Sequence, residues 1–166
     1  PLMWVETIAL VALMAMMPFY DRLPILFHGA AGDLARTPET FGSFLGLTAL
    51  ISAAVMAIPA IALGATLPLA SRVVSQSITK IGRGVGSAFA VNTTGNVLGA
   101  LIAGVWLAPL LGIQGVFIFG GGCMLVAVLW LCLTRRAWLL SGLAIAVWLA
   151  GAFAPSWDPV LMQSGM

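Results

Sequence analysis

Residues 88–133 read AFAVNTTGNVLGALIAGVWLAPLLGIQGVFIFGGGCMLVAVLWLCL and contain no charged side chain. Lipid offers no partner to backbone N–H and C=O groups, so a chain crosses it as a helix, and a bilayer core of about 30 Å needs about 20 helical residues. The stretch is long enough for two crossings, and Pro109 to Gly112 is the only place for a reversal. It predicts two transmembrane helices, 88–111 and 113–133, joined as a tight antiparallel hairpin.

Three further apolar runs meet the same length criterion, at 2–20, 44–69 and 137–154, the last only barely. Pro59 and Pro68 predict a kink and an interfacial helix end in the second of them. With 61% hydrophobic and 7% charged residues, the composition lies well outside that of soluble domains. We therefore predict an all-α, polytopic transmembrane bundle of about five spans, with the lipid bilayer as a partner.

The connecting segments carry an orientation signal. Basic side chains gather on one side of the predicted bundle: Arg72, Lys80, Arg83, Arg135 and Arg136. Short loops rich in lysine and arginine face the cytoplasm. The loop 21–40, with a short helix opening at Thr37, and the tail from Pro155 are therefore expected outside. The net charge of +2 comes from a few such loop residues, so it indicates no nucleic-acid partner.

Five of the six tryptophans lie near predicted span ends: Trp4, Trp106, Trp130, Trp138 and Trp157. The amphipathic indole ring prefers the headgroup layer of a bilayer. Their positions favour the proposed span boundaries, and we expect these rings at the membrane interface.

One helix face in the span 88–111 is both polar and narrow. Asn92 and Asn96 are four residues apart, and three small residues fall on nearly the same helical face: Gly95, Gly99 and Ala103. Small residues allow helices to approach closely and amides bond between helices, at roughly 0.6 kcal/mol each. We expect another helix to pack there, and Gly42 and Gly46 offer a second small-residue strip. A polar substrate path along the two asparagines is the alternative.

Glu6 is the only acid inside an apolar run. A carboxylate at membrane depth is a functional candidate, for example as a cation ligand. A position near the interface, or pairing with another helix, is the simpler interpretation.

The chain offers little to catalysis. His28 is the only histidine, Cys123 and Cys132 lie in one apolar run, and no Ser/His/Asp set or carboxylate pair occurs. A free thiol in such a run behaves as a small hydrophobe, and one imidazole cannot build a histidine-ligated metal cluster. We expect no catalytic residue, no metal site and no cofactor.

Three segments together resemble the membrane region of the fused major-facilitator-like/spermidine synthase proteins. They are GATLPLASR at 64–72, AVNTTGNVLGALIAG at 90–104 continuing to Pro109 and Gly112, and WDPVLMQSG at 157–165. The second is the most specific. The loop at Lys80 lacks the acid of the facilitator pattern, having Thr79 in its place, so the resemblance supports transport less well.

The resemblance implies a multi-pass protein of the bacterial inner membrane, with 1–154 as its helical domain and 155–166 leading into a soluble domain. A synthase domain would lie beyond Met166. The leading hypothesis is a non-catalytic membrane domain that anchors such a protein and packs against other helices or subunits. An accessory subunit of a respiratory or photosynthetic complex, and a polyamine or small-cation transporter, remain open.

Overall fold

The computed structural model describes residues 1–31, 34, 37–74 and 81–158. Within these residues, six α-helices follow one another: α1 (Leu2–Met16), α2 (Leu23–Ala31), α3 (Phe41–Val74), α4 (Ile81–Ile102), α5 (Ala108–Thr134) and α6 (Trp138–Ala152). A 3₁₀ segment (Met17–Arg22) joins α1 to α2, and a π-helical segment (Ala103–Leu107) joins α4 to α5. The prediction of an all-α fold is confirmed.

The core lies where α1, α5 and α6 meet. Its fully buried side chains come from all three helices: Leu10, Met14, Val128, Cys132 and Ala144. Met14 enters between two glycines, because a Cβ on Gly151 would lie 2.9 Å from Met14 Sδ and one on Gly121 would collide with Met14 Cε. The missing Cβ atoms let the helices approach closely, which is how helices pack in lipid without a hydrophobic driving force.

Helix α1 is the centre of the bundle, since it contacts α3 on one side and α5 and α6 on the other. Helix α4 packs on α3 and makes no extended contact with α1 within the described residues. It therefore lies at the edge of the bundle.

Three described helical runs are long and apolar enough to cross a membrane, namely Leu2–Gly29, Phe41–Val74 and Gly82–Thr134, and Trp138–Ala152 is a shorter apolar helix. Large apolar side chains are exposed over much of this surface, including Trp130 at 73% and Leu110 at 79%. These features indicate a membrane protein. The 53-residue run Gly82–Thr134 contains two of the five predicted spans, and the number of crossings stays a prediction.

The predicted turn between the third and fourth spans occurs at Gly112, which has φ +69° and ψ 172° inside α5. Glycine adopts this conformation without the steric cost that a Cβ would bring. The tight antiparallel hairpin is wrong, however. Among the described residues α4 and α5 make no extended contact, because α4 packs on α3 whereas α5 packs on α1 and α6.

Helix α5 ends in a turn that directs the chain back along the bundle. Arg136 has φ +55°, its N–H donates to the Leu133 carbonyl at 3.1 Å, and the Ala137 N–H donates to the Cys132 carbonyl at 2.8 Å. This is the Schellman arrangement of a helix C-terminus. After α6, the Pro155 carbonyl accepts a hydrogen bond from Gln114 near the other end of α5. Helix α6 therefore runs antiparallel to α5, from the level of Cys132 to that of Gln114.

Two other boundaries differ from the predictions. Helix α3 continues past Pro68 to Val74, since a proline removes one backbone donor while the apolar residues around it still favour a helix in lipid. Helix α4 begins at Ile81, so 81–87 belong to a helix and not to a loop.

The loop predicted at 21–40 is partly helical. It includes the end of the 3₁₀ segment and the whole of α2, whose apolar residues Leu23 to Phe27 extend the first span. Near Thr37, where a short helix is predicted, the chain forms a turn that precedes α3 at Phe41. Lys80, Thr79 and the tail 159–166 lie outside the described residues.

Candidate functional site

The polar and small-residue strip of α4 is exposed along its length. Asn92, Gly95, Asn96 and Gly99 are all exposed, and Ala103, in the π-helical segment, is half-buried. A Cβ placed on Gly95 or Gly99 would meet nothing within 4 Å. No helix of the described chain therefore packs where the sequence predicts close helix contact.

The strip begins in a groove between α3 and α4. Thr66 and Leu67 of α3 face Val91 and Asn92 of α4 across this groove, which has a volume of 340 Å³. Past Asn92 the space beside Gly95 and Gly99 is open. The two helices thus meet near the start of α4 and separate along its second half.

Neither asparagine amide has a hydrogen-bond partner among the described side chains and backbone. Two hydroxyls that line the groove bond within their own helices, since Thr66 Oγ1 donates to the Ala62 carbonyl at 3.4 Å and Ser87 Oγ to the Gly84 carbonyl at 2.9 Å. An amide in lipid carries a desolvation cost unless it is bonded. Asn92 and Asn96 are therefore ready to bond with a helix from outside this fold.

Gly42 and Gly46, the second predicted packing strip, lie one turn apart in the first part of α3. Both are exposed, and a Cβ on either would meet nothing within 4 Å. This strip is also uncovered by the described chain.

Glu6 lies in the second turn of α1 and is half-buried. The neighbouring residue bonds within the helix, because Thr7 Oγ1 donates to the Met3 carbonyl at 2.8 Å. Because α4 makes no extended contact with α1 in the described part of the chain, the structure does not bring Glu6 onto a common face with Asn92 and Asn96.

Residues 1–31, 34, 37–74 and 81–158 contain no group of three His, Cys, Asp or Glu side chains that could hold a metal ion. His28 is exposed on α2, Cys123 is exposed on α5, and Cys132 is buried in the core. These titratable side chains are spread over different parts of the fold.

The structure adds a cluster that the sequence does not indicate, which we call the C-terminal clasp: Tyr20, Gln114, Phe117 and Trp157. Gln114 Nε2 donates to the Pro155 carbonyl at 3.0 Å, and the Trp157 N–H donates to Gln114 Oε1, also at 3.0 Å. The Trp157 indole N–H donates to the Met17 carbonyl at 2.8 Å. One side-chain amide thus binds the chain on both sides of residue 156.

The rings of the clasp are in mutual contact. The centroid of Tyr20 lies 5.3 Å from those of Trp157 and Phe117, and the Phe117 and Trp157 centroids are 5.7 Å apart. Trp157 is only 9% exposed, so its ring packs inside the protein instead of facing headgroups. Trp4, Trp106, Trp130 and Trp138 are exposed, as rings that face lipid or headgroups would be. The sequence does contain a difference between Trp157 and the other four: Trp157 lies beyond the end of the last apolar run, at Ala154.

Comparisons of this chain with protein-family models, with curated proteins and with solved structures find no match.

Proposed function

We propose that this chain is the non-catalytic membrane domain of a spermidine synthase-like protein, which it anchors in the bacterial inner membrane and connects to further membrane helices through α4. The observation that carries the proposal is the uncovered strip Asn92, Gly95, Asn96 and Gly99 on a helix whose described residues 89–102 are all exposed. A helix with small residues and unbonded amides on one face is suited to helix association in lipid.

The anchoring part of this proposal includes five crossings, a number that the lengths of the apolar runs support. At 1.5 Å per residue the run Gly82–Thr134 would be about 80 Å long, far more than a bilayer core of about 30 Å, so it crosses twice with the change of direction at Gly112. Helix α6 covers the same length of the bundle as the second part of α5 and counts as a further crossing. With Leu2–Gly29 and Phe41–Val74, the chain crosses five times.

The packing role is tested by photo-crosslinking in native membranes. A photoreactive amino acid at Gly95 or Gly99 should give crosslinked products, because these positions lie on the strip. The matched controls are Val97 and Leu101, which are also exposed but lie on the opposite face of α4 by helical spacing. Equal crosslinking from both faces, or none from the strip, would contradict the packing role.

The synthase-like identity has a separate test. If the reading frame continues past Met166 into a Rossmann-type domain that carries substrate-binding acids, the proposal is supported. A stop codon directly after Met166 would remove this part of it and leave the packing role in place.

An accessory subunit of a larger membrane complex is the second candidate, and the same uncovered strip favours it. The crosslinking experiment separates the two, since a subunit would give products with a different polypeptide of fixed size, whereas an anchor domain with a helix neighbour in its own protein would crosslink internally.

A polyamine or small-cation transporter is the third candidate. It would use Glu6 together with Asn92 and Asn96, and these residues lie on helices that α3 keeps apart. Transport predicts that Glu6→Gln abolishes uptake into vesicles, whereas Glu39→Gln, the same change at an exposed acid before α3, should leave uptake unchanged. Unchanged uptake in Glu6→Gln would contradict it.

A further inference from the structure

The C-terminal clasp holds a segment that has no regular secondary structure. Helix α6 ends at Ala152, and residues 155–158 follow without a helix or turn of their own. A segment of this kind usually moves freely unless it is tied down. Here three hydrogen bonds of 2.8–3.0 Å and two ring contacts of Trp157 attach it to other elements.

These attachments reach two other segments of the bundle. Gln114 and Phe117 belong to α5, just after its turn at Gly112, while Met17 and Tyr20 belong to the 3₁₀ segment that follows α1. The Met17 carbonyl belongs to the first residue of the 3₁₀ segment that continues α1. The buried indole N–H of Trp157 donates to this carbonyl, so the ring is both packed and hydrogen-bonded.

We propose that the clasp is a rigid mount that fixes the chain leaving the bundle at Trp157 to the ends of α1 and α5. The segment 155–157 then keeps a fixed position relative to these helices. This inference extends the proposed function, since it specifies how a following soluble domain would be held, but the mount itself depends only on residues 17–20, 114–117 and 155–157.

The mount is tested by electron–electron distance measurements on the full chain in lipid nanodiscs. Nitroxides are attached at Ser156→Cys and Val126→Cys, which are exposed on the clasped segment and on α5, with Cys123→Ser and Cys132→Ala as background. The parent protein should give one narrow distance peak. Gln114→Met keeps the side-chain length but removes both hydrogen bonds of the side-chain amide, so the narrow peak should be lost.

Trp148→Phe is the matched control. It removes another indole hydrogen bond, from Trp148 Nε1 to the Ile118 carbonyl at 3.2 Å, but leaves the clasp unchanged, so the narrow peak should remain. A second label pair, Val126→Cys with Leu139→Cys, reports on α5 and α6 and should keep its narrow peak in Gln114→Met.

Three results would overturn the mount. One is a broad distribution in the parent protein, and another is an unchanged narrow peak in Gln114→Met. The third is broadening of both label pairs in Gln114→Met, because the residues would then support the whole bundle rather than the segment alone. None of these results affects the face-specific crosslinking of α4, so the mount and the packing role fail independently.

Discussion

Glycines are packed against another helix in the core of α1, α5 and α6 but are uncovered on the outer helix α4. In the core, Gly121 and Gly151 receive the side chain of Met14, and a Cβ on either would collide with it. On α4, Gly95 and Gly99 receive nothing within 4 Å. Small residues thus occur in both places, but among the described residues only those of the core receive a packing partner. The following changes should separate the two regions.

Gly121→Leu should have the largest effect. The new side chain would occupy the place of Met14 Cε, and overpacking of this kind costs about 1–3 kcal/mol. We therefore expect the free energy of unfolding, measured by SDS titration, to fall by about 3 kcal/mol. The control is the next residue, Gly120→Leu, because a Cβ there meets nothing within 4 Å. Equal loss in both variants would contradict the packing of Met14 against α5.

Met14→Ala should come next. Truncation of a fully buried Met to Ala typically costs about 2–5 kcal/mol in soluble proteins. We expect a loss of about 2 kcal/mol here, because a side chain surrounded by lipid instead of protein is not transferred into water. The same truncation should make Gly121→Ala nearly neutral, since the atoms in its way are gone. A double-mutant cycle by SDS titration measures this coupling, and strictly additive losses would mean that the two residues do not touch.

Gln114→Met should have a smaller effect on stability. It removes the two hydrogen bonds with Pro155 and Trp157, each with a net contribution of about 0.5–1.5 kcal/mol. We expect a loss of about 1 kcal/mol, since these groups are near enough to the bundle end to find other partners. A loss as large as that of Gly121→Leu would show that the clasp belongs to the core.

Asn96→Leu should leave the stability of the chain unchanged within about 0.5 kcal/mol, as for other surface changes. Its effect should appear in association, where an interhelical amide bond averages about 0.6 kcal/mol, or about a threefold change in equilibrium. We expect the yield of crosslinks from Gly95 to fall by that factor. Val97→Leu, on the opposite face, is the control, and destabilisation of the chain by Asn96→Leu would place the amide in an internal contact.

Hydropathy and turn chemistry are sufficient to predict much of this fold. The end of α5 at Thr134 and the start of α6 at Trp138 follow from the apolar runs around Arg135 and Arg136, and the change of direction follows from Gly112. These features are local, because each depends on whether a short segment can satisfy its backbone in lipid.

Which faces pack is much harder to predict. Helices that are apolar all round carry no inside–outside pattern, so nothing in α5 distinguishes Gly121, which receives Met14, from the open Gly120. The divergence of α4 from α5 and the burial of Trp157 likewise depend on contacts between distant segments. The sequence identifies the strip at Asn92 and Asn96, but it does not reveal that the chain leaves the strip uncovered.

Topology labelling in sealed vesicles tests the central claim that this bundle spans a membrane. Single cysteines at Phe19, Ser156 and Arg136, with Cys123→Ser and Cys132→Ala as background, would be treated with a membrane-impermeant maleimide. The clasp keeps the Phe19 and Ser156 regions at one end of the bundle, and Arg136 lies at the other. We predict that the first two react from the same side of the membrane and Arg136→Cys only from the opposite side. Labelling of all three from one side would contradict the claim.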